Sequence, residues 1–246
     1  VISPTATSTM TVTRSSLTPT VCSIDGSGNI VILSIGTCSV AANQPGGERE
    51  AGVFFNPAPE VIQSFEILAK AITITAAAKS KNYSESDPSL TYSITGSVNA
   101  GDVTGSLTRT SGENVGTYSI SQGSVEATSN YSVTYVSANL TINALAITIT
   151  AAAKTKVYGE LDPGLTYTIS PSLKVGDSVS GALSRNAGES VGTHTIIQNT
   201  LSVSSNYTVT YTSANLTITA KPLTIKAENK TKASGGSTPT FTYTLS

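Results

Sequence analysis

Along most of the chain, apolar and polar residues alternate with a period of two. Ile72 and Ile74 share one face while Thr73 and Thr75 take the other, and Leu90, Tyr92 and Ile94 alternate with Thr91, Ser93 and Thr95. The same pattern groups Tyr118 with Ile120, Tyr131 with Val133 and Tyr135, and Leu140 with Ile142. A period of two marks strands with one buried and one wet face, and Thr and Tyr suit such a surface. The turn-forming clusters SESDPS, NAGDVTG, TSGEN and EATSN separate these runs. No window carries a helical stripe.

The pattern then repeats. AITITAAAKSKNY from Ala71 returns as AITITAAAKTKVY from Ala146, and SNYSVTYVSANLTI ending at Ile142 returns as SNYTVTYTSANLTI ending at Ile218. The offset is 75 residues at first and 76 later, with the extra residue between Asp177 and Gly181, a place for a surface loop. A third copy opens at Pro222 with PLTIKAENKTK. The division expected is therefore residues 1–70 as an unrelated opening part lacking its first strands, 71–145 and 146–221 as full repeats, and 222–246 as the first strands of a third. The chain reads as an excerpt from a longer polypeptide.

Five to seven short strands in about 75 residues predict a small antiparallel immunoglobulin-like sandwich, so the chain is expected to be all-β, with tandem sandwiches. Because a seven-stranded sandwich takes about 100 residues, the alternative is a β-grasp-like sheet with a helical turn over 99–105. The joints NLTINAL–AITIT and LTITAKPLTI leave no room for a flexible linker, and Pro222 stiffens the second. Such joints predict an extended rod. Strands of about ten residues span roughly 33 Å, so three modules in line reach on the order of 100 Å.

Composition narrows the function. Only 12% of residues are charged, against about 25% in an average domain, and Ser with Thr make up roughly 30%. A net charge of −1 leaves no basic patch to displace counterions from nucleic acid. No run of about 18 apolar residues exists, so no membrane-spanning helix is expected. One His, one Met and two Cys offer little for a metal site or an activated nucleophile, and catalysis is not expected. His194 aligns with Tyr118 of the first copy, which favours a packing role over that of a general base. Gly26 and Gly28 in DGSGN lack the third glycine, the lysine and the helix of a phosphate loop, so they read as a hairpin turn.

The run VYGELDPGLTYTIS, then GALSRNAGESVGTHTI, then SNYTVTYTSANLTIT resembles the MBG domain, a repeat of large bacterial surface proteins and adhesins. In the first copy Ser84 stands where the family pattern has the Gly of Tyr-Gly, held by Gly159 in the second. In the third, Ser234 replaces the Tyr, while Pro239, Phe241 and Tyr243 stay in register. The opening part is similar to the C-terminal portion of a bacterial immunoglobulin-like repeat. The resemblance implies an extracellular or surface-anchored stalk without activity of its own, whose partners are the adjacent domains of the same polypeptide. A glycan- or protein-binding adhesion module is the alternative, as is a filament subunit in which the tail of one molecule completes the head of the next.

In a secreted chain, Cys22 and Cys38, expected on neighbouring strands joined by DGSGN, pair as a disulfide. No cofactor is implied beyond Ca²⁺, for which Glu160 with Asp162, and Asp102 with its counterpart Asp177, are the candidates; solvated loop acids are the plainer reading. Lys79 with Asn139 and Lys154 with Asn215 sit where some surface-adhesin sandwiches form an isopeptide bond, although neither copy shows an evident buried acid to assist it.

Overall fold

The alternation at Ile72, Ile74 and Ala76 becomes a strand with those three residues buried and the intervening threonines partly exposed. The computed structural model describes residues 9–246, and all regular structure among them is strand. Two compact units divide the chain: Val1–Ser80, Asp87–Gly112 and Thr117–Thr141 make the first, and Lys81–Ser86, Glu113–Gly116 and Ile142–Ser246 the second.

The opening part of the first unit runs β1 (Thr13–Ser16), β2 (Cys22–Ile24), β3 (Ile30–Ile32), β4 (Gly36–Gln44), β5 (Gly47–Glu50), β6 (Val53–Phe55) and β7 (Ala58–Ile67). Strands β1, β4 and β7 form an antiparallel sheet in the order β1-β4-β7, and β2 with β3 forms a separate hairpin. The DGSGN turn closes that hairpin: Asp25 accepts the amides of Ser27 at 2.9 Å and Asn29 at 2.7 Å. Cys22 and Cys38 are disulfide-bonded, with 5.7 Å between their Cα atoms. Both are fully buried, against Val40, Ile24, Ile30 and Ile67. The bond does not join hairpin neighbours as the sequence suggested. The partner of β2 is β3, whereas Cys38 lies on β4, so the disulfide ties the hairpin to the three-stranded sheet. On β7 the adjacent Val61 and Ile62 point to opposite faces and are 58% and 54% exposed, so neither face is covered there.

The first repeat contains β8 (Lys70–Ala76), β9 (Lys79–Asn82), β10 (Tyr92–Thr95), β11 (Val103–Thr104), β12 (Thr108–Arg109), β13 (Gly116–Ser121), β14 (Glu126–Ala127), β15 (Tyr131–Val136) and β16 (Ala138–Asn143). Its sheets are ordered β10-β8-β15 and β12-β13-β16-β9, with a small β11-β14 ladder. Ile74 and Ala76 of β8 meet Ile120 of β13 and Leu140 of β16, with Tyr92, Ile94, Val133 and Tyr135 around them. Side chains from both sheets thus share one core, as in a sandwich.

The second repeat follows the same plan with β17 (Leu145–Ala151), β18 (Lys154–Val157), β19 (Tyr167–Ser170), β20 (Ser184–Arg185), β21 (Gly192–Ile197), β22 (Tyr207–Thr212) and β23 (Ala214–Thr219). Its sheets are β19-β17-β22 and β18-β23-β21-β20. The third copy contributes an antiparallel pair, β24 (Ile225–Ala227) with β25 (Tyr243–Leu245).

Two expectations change. Residues 99–105 hold no helix; they contain a turn closed by the Asp102 amide on the Asn99 carbonyl at 3.2 Å, followed by β11, which removes the β-grasp alternative. The sandwich is also not purely antiparallel. β17 runs parallel to β22, and β18 runs parallel to β23 in the same register, Leu145 opposite Tyr207 and Lys154 opposite Leu216. Two bent strands, 145–157 and 207–219, therefore run side by side from one sheet into the other. In the first repeat β8 pairs in parallel with β15 in the same way. Alternation reports which face a residue takes and nothing about strand direction, so it could not reveal this.

The disulfide gives a direct test. Replacing both cysteines by serine (Cys22→Ser with Cys38→Ser) is expected to destabilise the opening part by about 3 kcal/mol, the chain-entropy value for a loop of about 15 residues. Denaturant unfolding would show it, and an unchanged midpoint would mean that the bond constrains nothing.

Candidate functional site: the tyrosine turn, its ion pairs and its clasp

Each repeat leaves β9 or β18 through the same tight turn. The Glu85 amide bonds the Asn82 carbonyl and the Glu160 amide the Val157 carbonyl, both at 3.1 Å. The glutamate side chains fold back on the turn, accepting the Asn82 amide at 2.7 Å and the Val157 amide at 3.0 Å. The third turn residue is left-handed, with φ 74° at Ser84 and 87° at Gly159. The third copy keeps the shape, with Gly235 at φ 79° and the Gly236 amide on the Ala233 carbonyl at 3.0 Å. A positive φ at this position favours glycine, which is the physical reason for a Tyr-Gly pair, and Ser84 holds the same backbone at a cost.

A buried lysine stands under the turn. The Lys156 side chain is 3% exposed, yet its three N–H groups all find acceptors: Asp162 Oδ1 at 2.7 Å, Glu189 Oε2 at 2.5 Å and the Glu160 carbonyl at 3.0 Å. Arg185 grips Asp162 in a fork, Nε to Oδ2 at 2.6 Å and Nη2 to Oδ1 at 3.1 Å, and also pairs with Glu189. Its Nη1 donates to the Gly188 carbonyl at 2.5 Å. Charge-assisted forks of this kind are the stronger class of hydrogen bond. Arg185 first, then Lys156, holds the Asp162 carboxyl down to about 2. Glu189 is lowered mainly by Lys156, and Lys156 is raised by Asp162 and Glu189.

The first repeat reproduces the arginine fork and the lysine's contacts with the glutamate carboxylate and the turn carbonyl. In the first unit, Arg109 forks onto Asp87 at 2.6 and 3.1 Å and donates to the Gly112 carbonyl at 2.6 Å. Its guanidinium lies 5.4 Å from the Tyr118 ring centre. A Cβ on Gly112 would stand 2.2 Å from Tyr118 Cε1, so this ring requires glycine there. In the second unit, Lys81 meets Glu113 Oε2 at 2.5 Å and the Glu85 carbonyl at 3.1 Å.

The turn tyrosine supplies the most specific contact. Within the second unit, Tyr83 and Tyr207 both donate their hydroxyls to Asp177 Oδ2, at 2.9 and 2.5 Å. Their rings meet edge to face with centres 5.4 Å apart, and Lys174 Nζ lies 5.0 Å from the Tyr83 ring centre. Beside them Asn206 accepts the Val115 amide at 2.9 Å and donates to Asn114 Oδ1 at 3.0 Å. The two phenols, Tyr207 more than Tyr83, lower the Asp177 carboxyl. Burial first, and the Asp177 carboxylate second, raises both phenols. The first repeat has the same Asp–Tyr clasp: Tyr131 donates to Asp102 Oδ2 at 2.7 Å, and Asn99 donates to the same oxygen at 3.1 Å.

A family model described as MBG domain (YGX type) matches residues 72–141 and 147–217, more than half of the chain. The chain belongs to this family. Comparison with curated proteins finds no match, nor does comparison with solved structures. The matched segments are the two MBG repeats that carry the tyrosine turn, the ion pairs and the clasp.

The MBG repeats place the candidate residues as follows. Glu160 and Asp162 do not form an oxygen cage: the Glu160 carboxylate serves its own turn, and Asp162 faces two cations whose charge opposes a metal ion. Asp102 and Asp177 are the acceptors of the two clasps. No group of three or more potential metal-ligating side chains exists among the described residues. The register separates the isopeptide candidates onto different faces. Lys154 lies opposite Leu216, so Asn215 turns to the other face and is exposed. Lys79 and Asn139 hold the equivalent positions, with Asn139 exposed beside buried Leu140. His194 Nε2 faces the Ser190 carbonyl at 2.9 Å, and its ring covers Gly188 as Tyr118 covers Gly112.

Sequence reasoning missed Lys81, Lys156, Arg109, Arg185, Glu113 and Glu189. A signal was present, because these charged residues recur at matching positions in a chain with few charges.

Two predictions follow from this geometry. Ser84→Gly is expected to stabilise the first MBG repeat by up to about 1 kcal/mol, since a non-glycine residue in left-handed backbone costs roughly 1–2 kcal/mol and glycine's entropy returns part of that. A lower urea midpoint would contradict it. The second concerns acid. The Asp162 pKa is depressed, so its contribution is complete above the unfolded value near 3.9 and is lost as pH falls through about 2. Asp162→Asn should therefore flatten the fall in Tm between about pH 4 and pH 2; an unaltered acid limb would remove this carboxylate from the account.

Proposed function

We propose that the chain is a non-catalytic spacer of a bacterial cell-surface or secreted adhesin-like protein, built from MBG repeats joined end to end. One observation carries the reading: Tyr83, in the turn of one repeat, is seated in the Asp177–Tyr207 clasp of the next. The joint beside it is a single residue, Ala144, between β16 and β17. Its backbone is tied down by the Leu145 amide on the Asn206 carbonyl at 3.0 Å. A tether meant to swing would be longer and rich in Gly and Ser. The family supports a repeat protein of the surface type, and the fixed joint supports a spacing role within it.

Small-angle scattering tests the proposal. A compact 246-residue protein has a radius of gyration of about 18 Å. An end-to-end array on the order of 100 Å long should give roughly 30 Å. A value near the compact figure would overturn the spacer reading.

A further inference from the structure

We propose that the exposed Tyr158 turn is a docking site for the Asp–Tyr clasp of an MBG repeat that follows it in the polypeptide. Tyr83 and Tyr158 occupy the same repeat position and are presented alike, the Tyr83 amide on the Asn143 carbonyl at 2.8 Å and the Tyr158 amide on the Thr219 carbonyl at 2.9 Å. They differ in cover: Tyr83 is 4% exposed and Tyr158 52%. Around Tyr158 lie Lys221, Pro222, Leu223 and Leu245, with both leucines exposed. Val191, the counterpart of the Val115 that donates its amide to Asn206, is exposed as well. Val115 itself stays 39% exposed beside the clasp, against 56% at Val191, so the difference in cover lies at the tyrosine, which the clasp buries at Tyr83 and which stands open at Tyr158.

The occupant is specified by chemistry. It must offer a carboxylate oxygen to the Tyr158 hydroxyl, a tyrosine ring edge to its face and an asparagine side-chain oxygen to the Val191 amide. Asp177, Tyr207 and Asn206 supply those three groups at the existing joint. The third copy, over 222–246, supplies the counterparts of β17 and β19 and not those of the clasp residues Asp177, Asn206 and Tyr207. The inference rests on the tandem-array reading and adds the rule by which repeats connect: the tyrosine of one turn fills the clasp of the next repeat.

Tyrosine nitration read by peptide mass spectrometry tests the rule. In the 246-residue chain, Tyr158 should be nitrated and Tyr83 spared. In a chain whose third repeat is completed with residues copied from the second, Tyr158 should become protected on the order of tenfold, the scale of one hydrogen bond to a charged group. Asparagine at the Asp of the added clasp should restore its reactivity. Unchanged Tyr158 reactivity in the completed chain would overturn the proposal. So would protection in the 246-residue chain that grows with concentration, which would assign the surface to a second copy. A further arm needs no added repeat: Asp177→Asn should expose Tyr83 to nitration while the circular dichroism stays that of the parent, and a Tyr83 still protected would show that the clasp does not hold it. A compact radius of gyration together with a protected Tyr158 would sink the spacer reading and leave the docking rule standing.

Discussion

The parallel pairing of the two bent strands is the constraint on which the other features of a repeat depend. Strands 145–157 and 207–219 start together, Leu145 opposite Tyr207, and finish together, Val157 opposite Thr219. Tyr207 at the start belongs to the clasp, and Tyr158 follows directly after the finish. Because the strands run in the same direction, the clasp and the turn tyrosine fall at opposite ends of one continuous ladder. An antiparallel pair would put the start of one strand beside the finish of the other, and both elements would crowd a single end. Parallel pairing thus puts the clasp at one end of a repeat and the turn tyrosine at the other.

The chain concentrates its few charges where that ladder needs them. A buried lysine is tolerated only when its donors are satisfied, since removing one partner of such a group leaves an uncompensated charge. Lys156 lies on the bent strand just before the turn and binds the turn's own Glu160 carbonyl. Asp162 and Glu189, from the following loop and from the approach to β21, complete its coordination, and Arg185 of β20 bridges the two acids. The ion pairs therefore fasten three separate segments to the base of the turn. They position Tyr158, or Tyr83 in the other copy.

Most of the plan was legible from residue order. The repeats, their strand faces, the DGSGN hairpin and the cysteine pair were all visible, because alternation and self-similarity are local signals. What escaped were relations between distant residues. Alternation gives Ile147 and Val209 the same kind of face without saying that their strands lie side by side in parallel. The carboxylates of Asp162 and Asp177 read as calcium candidates because acids in loops look alike until their neighbours are known. One faces Arg185 and Lys156, and the other faces two phenols. Nothing local distinguishes β3 from β4 as the neighbour of β2, so residue order alone does not show that Cys38 lies on β4.

The divergence of the copies shows that the turn and the lock are separable. The first copy keeps the tyrosine but has Ser84 in left-handed backbone where the second has Gly159. The third does the reverse: Gly235 keeps the left-handed turn, but Ser234 stands in the tyrosine position. Thr238 precedes Pro239 there, where Asp162 precedes Pro163 in the second copy, so the acid that grips both Arg185 and Lys156 has no counterpart. Losing the phenol and the carboxylate together is coherent, because the ion pairs serve to fix the base of a turn whose tyrosine must enter a clasp. A turn with no tyrosine to deliver still folds on its glycine and one backbone hydrogen bond. In this chain the glycine belongs to folding, and the tyrosine with its supporting acid belongs to the connection between repeats.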